Sequence, residues 1–266
     1  MNQQMAFRVA GLVFCAVLMA STAFTETLIL VMPHRGIEIL DASKPGPFGK
    51  AGIFDTFIAG GITFTLNYLD PPNAGFRDPA SGAKRRARLK DALTIVAETI
   101  NMPGALDIQV NPSETDMSGA VAFAGTVYGA SDNGFQDSAT LERLKTGVKP
   151  FDEYAEITLT VDFGYNWNIE TTAPSGSQLD LISVLLHEFT HGLGFLSLVR
   201  ASGYTTGSNL PPQFYTVFDS YVHRGSDGRA LFGGMPPAFL GTPADLTSND
   251  VIFAGPEAHA LFGQGI

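Results

Sequence analysis

The sequence predicts a mixed α/β (α+β) fold: a mixed twisted sheet, one backing helix, a second helix that carries a histidine pair, and a loop-rich C-terminal part. Three observations predict it. Residues 62–68 (ITFTLNY) and 155–163 (AEITLTVDF) alternate apolar and polar side chains and are rich in β-branched residues, the period-2 pattern of strands. Residues 83–101 bring Leu89, Leu93, Val96 and Ile100 onto one helical face. Residues 178–197 show the same helical periodicity around two histidines four positions apart. The 266 residues are 45% hydrophobic and 16% charged, which supplies a sizeable core and is the reverse of a disordered composition.

Taken in order, residues 1–23 read as an export signal. Arg8 precedes an apolar run at 9–20, too short for a bilayer, which needs about 20 residues. Ser21 and Ala23 are the small residues expected before a cleavage site. The chain is therefore expected in an extracellular or periplasmic compartment, with no stable membrane insertion after cleavage. Residues 24–60 are expected to be a loosely structured extension or pro-segment, with a Pro- and Gly-rich loop at 41–52. The domain proper is expected over 61–266. Its strands are expected at 62–68, 106–110, 120–128 and 155–163, and its helices at 83–101, 138–145, 178–197 and 214–223. Ser177 and Asp180 read as the cap of the third helix. Beyond Arg224 the chain is turn-rich.

Charge and cysteine content exclude several functions. With 16 Lys+Arg against 26 Asp+Glu the net charge is −10, without the basic footprint that a nucleic-acid backbone requires. The basic run from Lys84 to Lys90 reads as a solvated helix face. Cys15, the single cysteine, lies inside the export segment. Residues 24–266 thus carry no disulfide framework, thiol nucleophile or Cys-ligated zinc ribbon.

The informative stretch is His187-Glu188-Phe189-Thr190-His191, a His-Glu-x-x-His motif. Four residues of helix rotate by about 40° net, so both imidazoles face one way, one turn apart, where they can share a metal ion. Glu188 stands beside them as a candidate general base toward water activated by that ion. Ile182, Leu185, Phe189, Leu193 and Leu196 project opposite the histidines and are expected to bury. Gly192 and Gly194 weaken the helix end and point to a turn or a close backbone approach there. The cofactor expected is Zn2+, and the chemistry is hydrolysis of a peptide bond in protein or peptide substrates.

The stretch HEFTHGLGF at 187–195 resembles the active-site helix of secreted zinc metallopeptidases, the zincins, and Gly194 looks like the metzincin pattern. In that pattern a third zinc-binding His or Asp follows three residues after the glycine; here Ser197 stands at that position. The order of segment 70–79, a helix, a strand near 155 and HEFTHGLGF is similar to a group of secreted, mostly bacterial proteins with HELGHGLGF-type motifs, a likeness reaching from residue 62 to the end. In that group more sequence follows, so the chain is expected to be a truncated form. The resemblance implies a zincin-like fold and peptidase activity. A catalytic zinc has three protein ligands, and no His, Asp or Glu lies between Gly192 and Phe218. Asp219 is the first candidate for the third ligand, with His223 one helical turn on, or a residue missing beyond Ile266, as the alternatives. The competing class is a secreted non-catalytic binding module with an incomplete zinc site.

Overall fold

The computed structural model describes residues 27–32, 36–40, 48, 52–117, 119–130, 134–204 and 214–258. The export segment 1–23 lies outside the described residues, as do His34 and His259. The chain forms two compact units. The first holds Ile29–Tyr128 and Asp137–Leu196, and the second holds the described residues of Met1–Leu28, Gly129–Gln136 and Ser197–Ile266.

The first unit is built on a seven-stranded mixed sheet. Its strands are β1 (Thr27–Met32), β2 (Gly36–Leu40), β3 (Ile53–Ala59), β4 (Ile62–Tyr68), β5 (Gly104–Val110), β6 (Ala122–Ala130) and β7 (Ile157–Val161), in the order β2-β1-β6-β7-β5-β4-β3. β3 and β4 form an antiparallel hairpin whose two-residue turn, Gly60-Gly61, has φ of 52° and 82°. Glycine tolerates positive φ at both turn positions, as this tight hairpin geometry requires. A 3-10 turn (Gly75–Arg77) and α1 (Gly82–Ile100) then carry the chain over to β5, which pairs parallel with β4. β7 is parallel to β5, and β6 runs antiparallel to β7.

Two helices share one face of this sheet. Leu89, Leu93 and Ala97 of α1 bury beside Leu181, Leu185 and Phe189 of α3 (Leu181–Gly192). Both sets pack on Phe64, Leu66, Leu106, Ile108 and Leu159 from the strands. Each fully buried Leu or Phe contributes about 1.5–3 kcal/mol, so the apolar stripe of α3 fixes which side its histidines face. The short helix α2 (Ala139–Thr146) is capped by Ser138, whose hydroxyl accepts the Leu141 N–H. Its Arg143 bridges Asp107 at 2.9 Å and the buried Glu156 at 2.6 Å, tying α2 to the sheet.

The second unit is small and loop-rich. β10 (Val222–Arg224) pairs with β13 (Val251–Phe253), and β11 (Phe232–Gly233) pairs with β12 (Ala238–Phe239). The helix α4 (Pro243–Thr247) starts with a Thr242–Asp245 capping box. Tyr215, Val222, Leu231 and Phe232 form its core.

Three sequence expectations are corrected. The described residues of 24–60 are not loosely structured, since they contribute β1, β2 and β3 to the sheet, while most of the predicted 41–52 loop lies outside the described residues. The 178–197 helix is shorter, because Leu179–Asp180 pair as strand β9 with β8 (Trp167–Asn168). Asp180 rather than Ser177 therefore caps α3, accepting the Ser183 N–H at 2.9 Å. The 214–223 helix is replaced by a 3-10 turn (Asp219–Tyr221) leading into β10. There the Asp219 carboxylate takes the Thr216 N–H, a local bond that competes with helix. Among the described residues no helix is long and apolar enough to cross a membrane.

Candidate metal centre

Helix α3 brings His187 and His191 together. Their Nε2 atoms stand 3.2 Å apart, with the ring planes at 89°. Two nitrogens on one tetrahedral zinc, each about 2.0–2.1 Å from it, would stand about 3.3–3.4 Å apart. His187 is exposed and His191 half-buried. His191 Nδ1 lies 3.1 Å from the Phe195 carbonyl oxygen. A carbonyl can only accept, so Nδ1 carries the proton and Nε2 presents its lone pair toward His187. Orienting a ligand histidine by a backbone carbonyl on its other nitrogen is the usual support of a metal site.

The chain beyond α3 is shaped to deliver that carbonyl. The helix stops at Gly192, where a Cβ would lie 2.8 Å from Ile157 Cγ2, so only glycine allows this approach to β7. Gly194 adopts φ 96°, and the chain curls back so that the Phe195 N–H donates to Thr190 O. Two buried hydroxyls clamp the turn: Thr140 Oγ1 donates to Gly192 O at 2.7 Å and Ser138 Oγ to Leu193 O at 2.9 Å. Both glycines thus have the roles expected of them, a turn and a close approach. A Cβ on Gly194 would also lie 2.8 Å from Ser138 Oγ. Gly194→Ala is expected to lose about 1–3 kcal/mol of stability and to bind zinc more weakly by releasing the Phe195 carbonyl. Urea denaturation with a zinc titration reads both.

Glu188 follows His187 but turns inward. It is buried, and its Oε2 accepts the Ala124 N–H of β6 at 2.8 Å. This anchor is set by the backbone of a strand 64 residues away, which the motif alone does not announce.

Asp219 lies in the second unit and is fully buried. Its Oδ2 accepts the Thr216 N–H at 2.7 Å and the Thr216 hydroxyl at 3.0 Å. Its Oδ1 is buried without a hydrogen-bond partner. Burial pushes its carboxyl up to about 6, against the opposing pull of the nearby Ser197 hydroxyl and of Thr216. The Ser197 hydroxyl, in the same unit, is the donor nearest to hand for this carboxylate. Two imidazole nitrogens are donors that zinc accepts, and Asp219 belongs to no three-ligand group among the described residues. His223 is not a helical turn beyond Asp219; it sits in β10 with Nδ1 3.0 Å from Gly228 O.

Among the described residues, the group of three potential ligand side chains gathered within 4.8 Å is Glu114, Asp116 and Asp162. Asp162 there accepts the Met117 and Gly164 N–H groups, which closes the loop after β5 onto β7. The chain matches no family model, no curated protein and no solved structure.

Proposed function

We propose that the chain is a secreted zinc-dependent endopeptidase. The observation that carries this reading is the His187–His191 pair, 3.2 Å apart at Nε2, with His191 held in the ligand tautomer by Phe195 O. Asp219 is proposed as the third ligand. The sequence supports this choice: Asp219 is the first His, Asp or Glu after Gly192. The orphaned Oδ1 gives Asp219 an acceptor to offer. Zinc, when bound, supplies Lewis acidity that acidifies water and polarises a carbonyl.

The chain's own residues do the rest. His191 is oriented by the Phe195 carbonyl. Glu188, positioned by the Ala124 N–H, takes a proton from the attacking water and returns it to the leaving amine. Export rests on residues 1–23, and peptide substrates on the resemblance of HEFTHGLGF.

The test is hydrolysis of a mixed fluorogenic peptide set by the purified chain. Cleavage is expected to stop with a zinc chelator and to return on adding zinc. Cleavage indifferent to the chelator would refute the zinc mechanism, and no cleavage by zinc-loaded protein would favour a binding module.

A further inference from the structure

The segment from Asp70 to Pro79 and the basic start of α1 have no part in the zinc chemistry. They border a cleft of about 440 Å³ in the first unit, within the size range of small-molecule sites. We propose that this cleft, between the β3 edge and the β4–α1 connection, binds a small organic anion through Arg77 and Arg86, with an apolar body resting on Ile53.

Charge is the first argument. Arg77 and Arg86 are half-buried, and among the described residues neither has a carboxylate partner. Asp55, also in the lining, is already neutralised by Lys90 at 2.7 Å. The cleft thus holds two guanidinium groups beside Asp55, with the Asp70 carboxylate behind the loop, on a chain of net charge −10. A guanidinium offers five donors in a planar fork that suits carboxylate and phosphate oxygens.

Rigidity is the second. Arg77 Nη1 donates to Asp70 O at 2.8 Å, and Arg86 Nη1 donates to Phe76 O. Each arginine thus spends one donor on the connecting loop and is held in place. The loop itself is locked, because the Asp70 carboxylate accepts the Phe76 and Ser113 N–H groups. Gly75, with φ 53°, leaves room for that carboxylate; a Cβ there would come within 2.1 Å of Asp70 Oδ1. Donors fixed in advance lose little entropy when a ligand arrives.

The third argument is the apolar rim. Ile53 is 49% exposed where it lines the cleft, beside its strand partner Tyr68, while Phe54, next along β3, turns to the other face and packs against Phe48. Tyr68 forms part of the wall, and its hydroxyl has no hydrogen-bond partner. An inorganic anion would use the arginines and leave the rim bare, whereas an aryl or alkyl anion covers both.

The test titrates the full chain with phenyl phosphate, benzoate and inorganic phosphate by calorimetry. One aromatic anion per chain is expected, bound roughly tenfold or more tightly than inorganic phosphate and weakened by added salt. Preference for phenyl phosphate would assign a phosphoryl ligand; preference for benzoate would assign a carboxylate. Arg86→Gln is expected to weaken binding about tenfold. Because that variant also frees a loop carbonyl, Ile53→Asp is the companion. It opposes the anion from an exposed edge position, is expected to fold, and should weaken binding at least as much. Absence of saturable binding, or unchanged affinity in Ile53→Asp, would overturn the proposal.

Discussion

Glu188→Gln is expected to fold, to hold zinc and to lose turnover by about a hundredfold to ten-thousandfold, the usual worth of a positioned general base. The amide oxygen of Gln still accepts the Ala124 N–H, so the anchor to β6 survives while the basic oxygen does not. Glu188→Ala should lose the same activity and also about 1–3 kcal/mol of stability, because a buried strand N–H is left without its acceptor. The pair of variants separates chemistry from folding. Turnover near the wild-type level in Glu188→Gln would remove Glu188 from the mechanism, whatever its zinc content.

Asp219→Asn carries the second large effect, and its two consequences run in opposite directions. Zinc binding should collapse, since a neutral amide is a poor replacement for a carboxylate ligand. The metal-free protein should nevertheless become more stable at neutral pH. Burial raises the Asp219 carboxyl from 3.8 to about 6, so the folded state holds this proton more tightly than the unfolded chain does. This group's contribution to stability is then fully present below 3.8 and is lost as pH rises through 6, roughly 3 kcal/mol in all. Asn removes that loss. Metal-free wild type and Asp219→Asn should therefore differ at pH 7 and converge near pH 4 in denaturant titrations. A site that is destabilising until filled is the pattern of a functional residue. Full zinc content in Asp219→Asn would remove Asp219 from the ligand set.

Much of this was legible in the chain. The stripe of Leu89 and Leu93 and the apolar face of α3 follow from helical spacing, because the same residues that repeat in sequence are those that bury. The two glycines after His191 announced a turn, although not what it was for. The Phe195 carbonyl that orients His191 is a backbone atom, and no side-chain pattern can reveal it. Strand β3 was missed even though Gly60-Gly61 between two apolar runs is a hairpin signal; the Pro- and Gly-rich stretch just before it masked the pattern. The apolar spacing of residues 214–223 fits helix as well as it fits a turn and strand. What decides is a tertiary fact: Val222 buries in the small second core while Asp219 bonds back to Thr216. The orphaned Asp219 oxygen is equally a product of packing, invisible until the surrounding chain is in place.

The most direct test of the zinc account is the molar ratio of zinc to protein in chain 24–266 after dialysis against metal-free buffer, measured beside His187→Ala. A ratio near one in the parent chain and near zero in His187→Ala is the predicted result. A ratio near zero in folded parent chain would contradict it, and the protein would then be read as a binding module with an incomplete site.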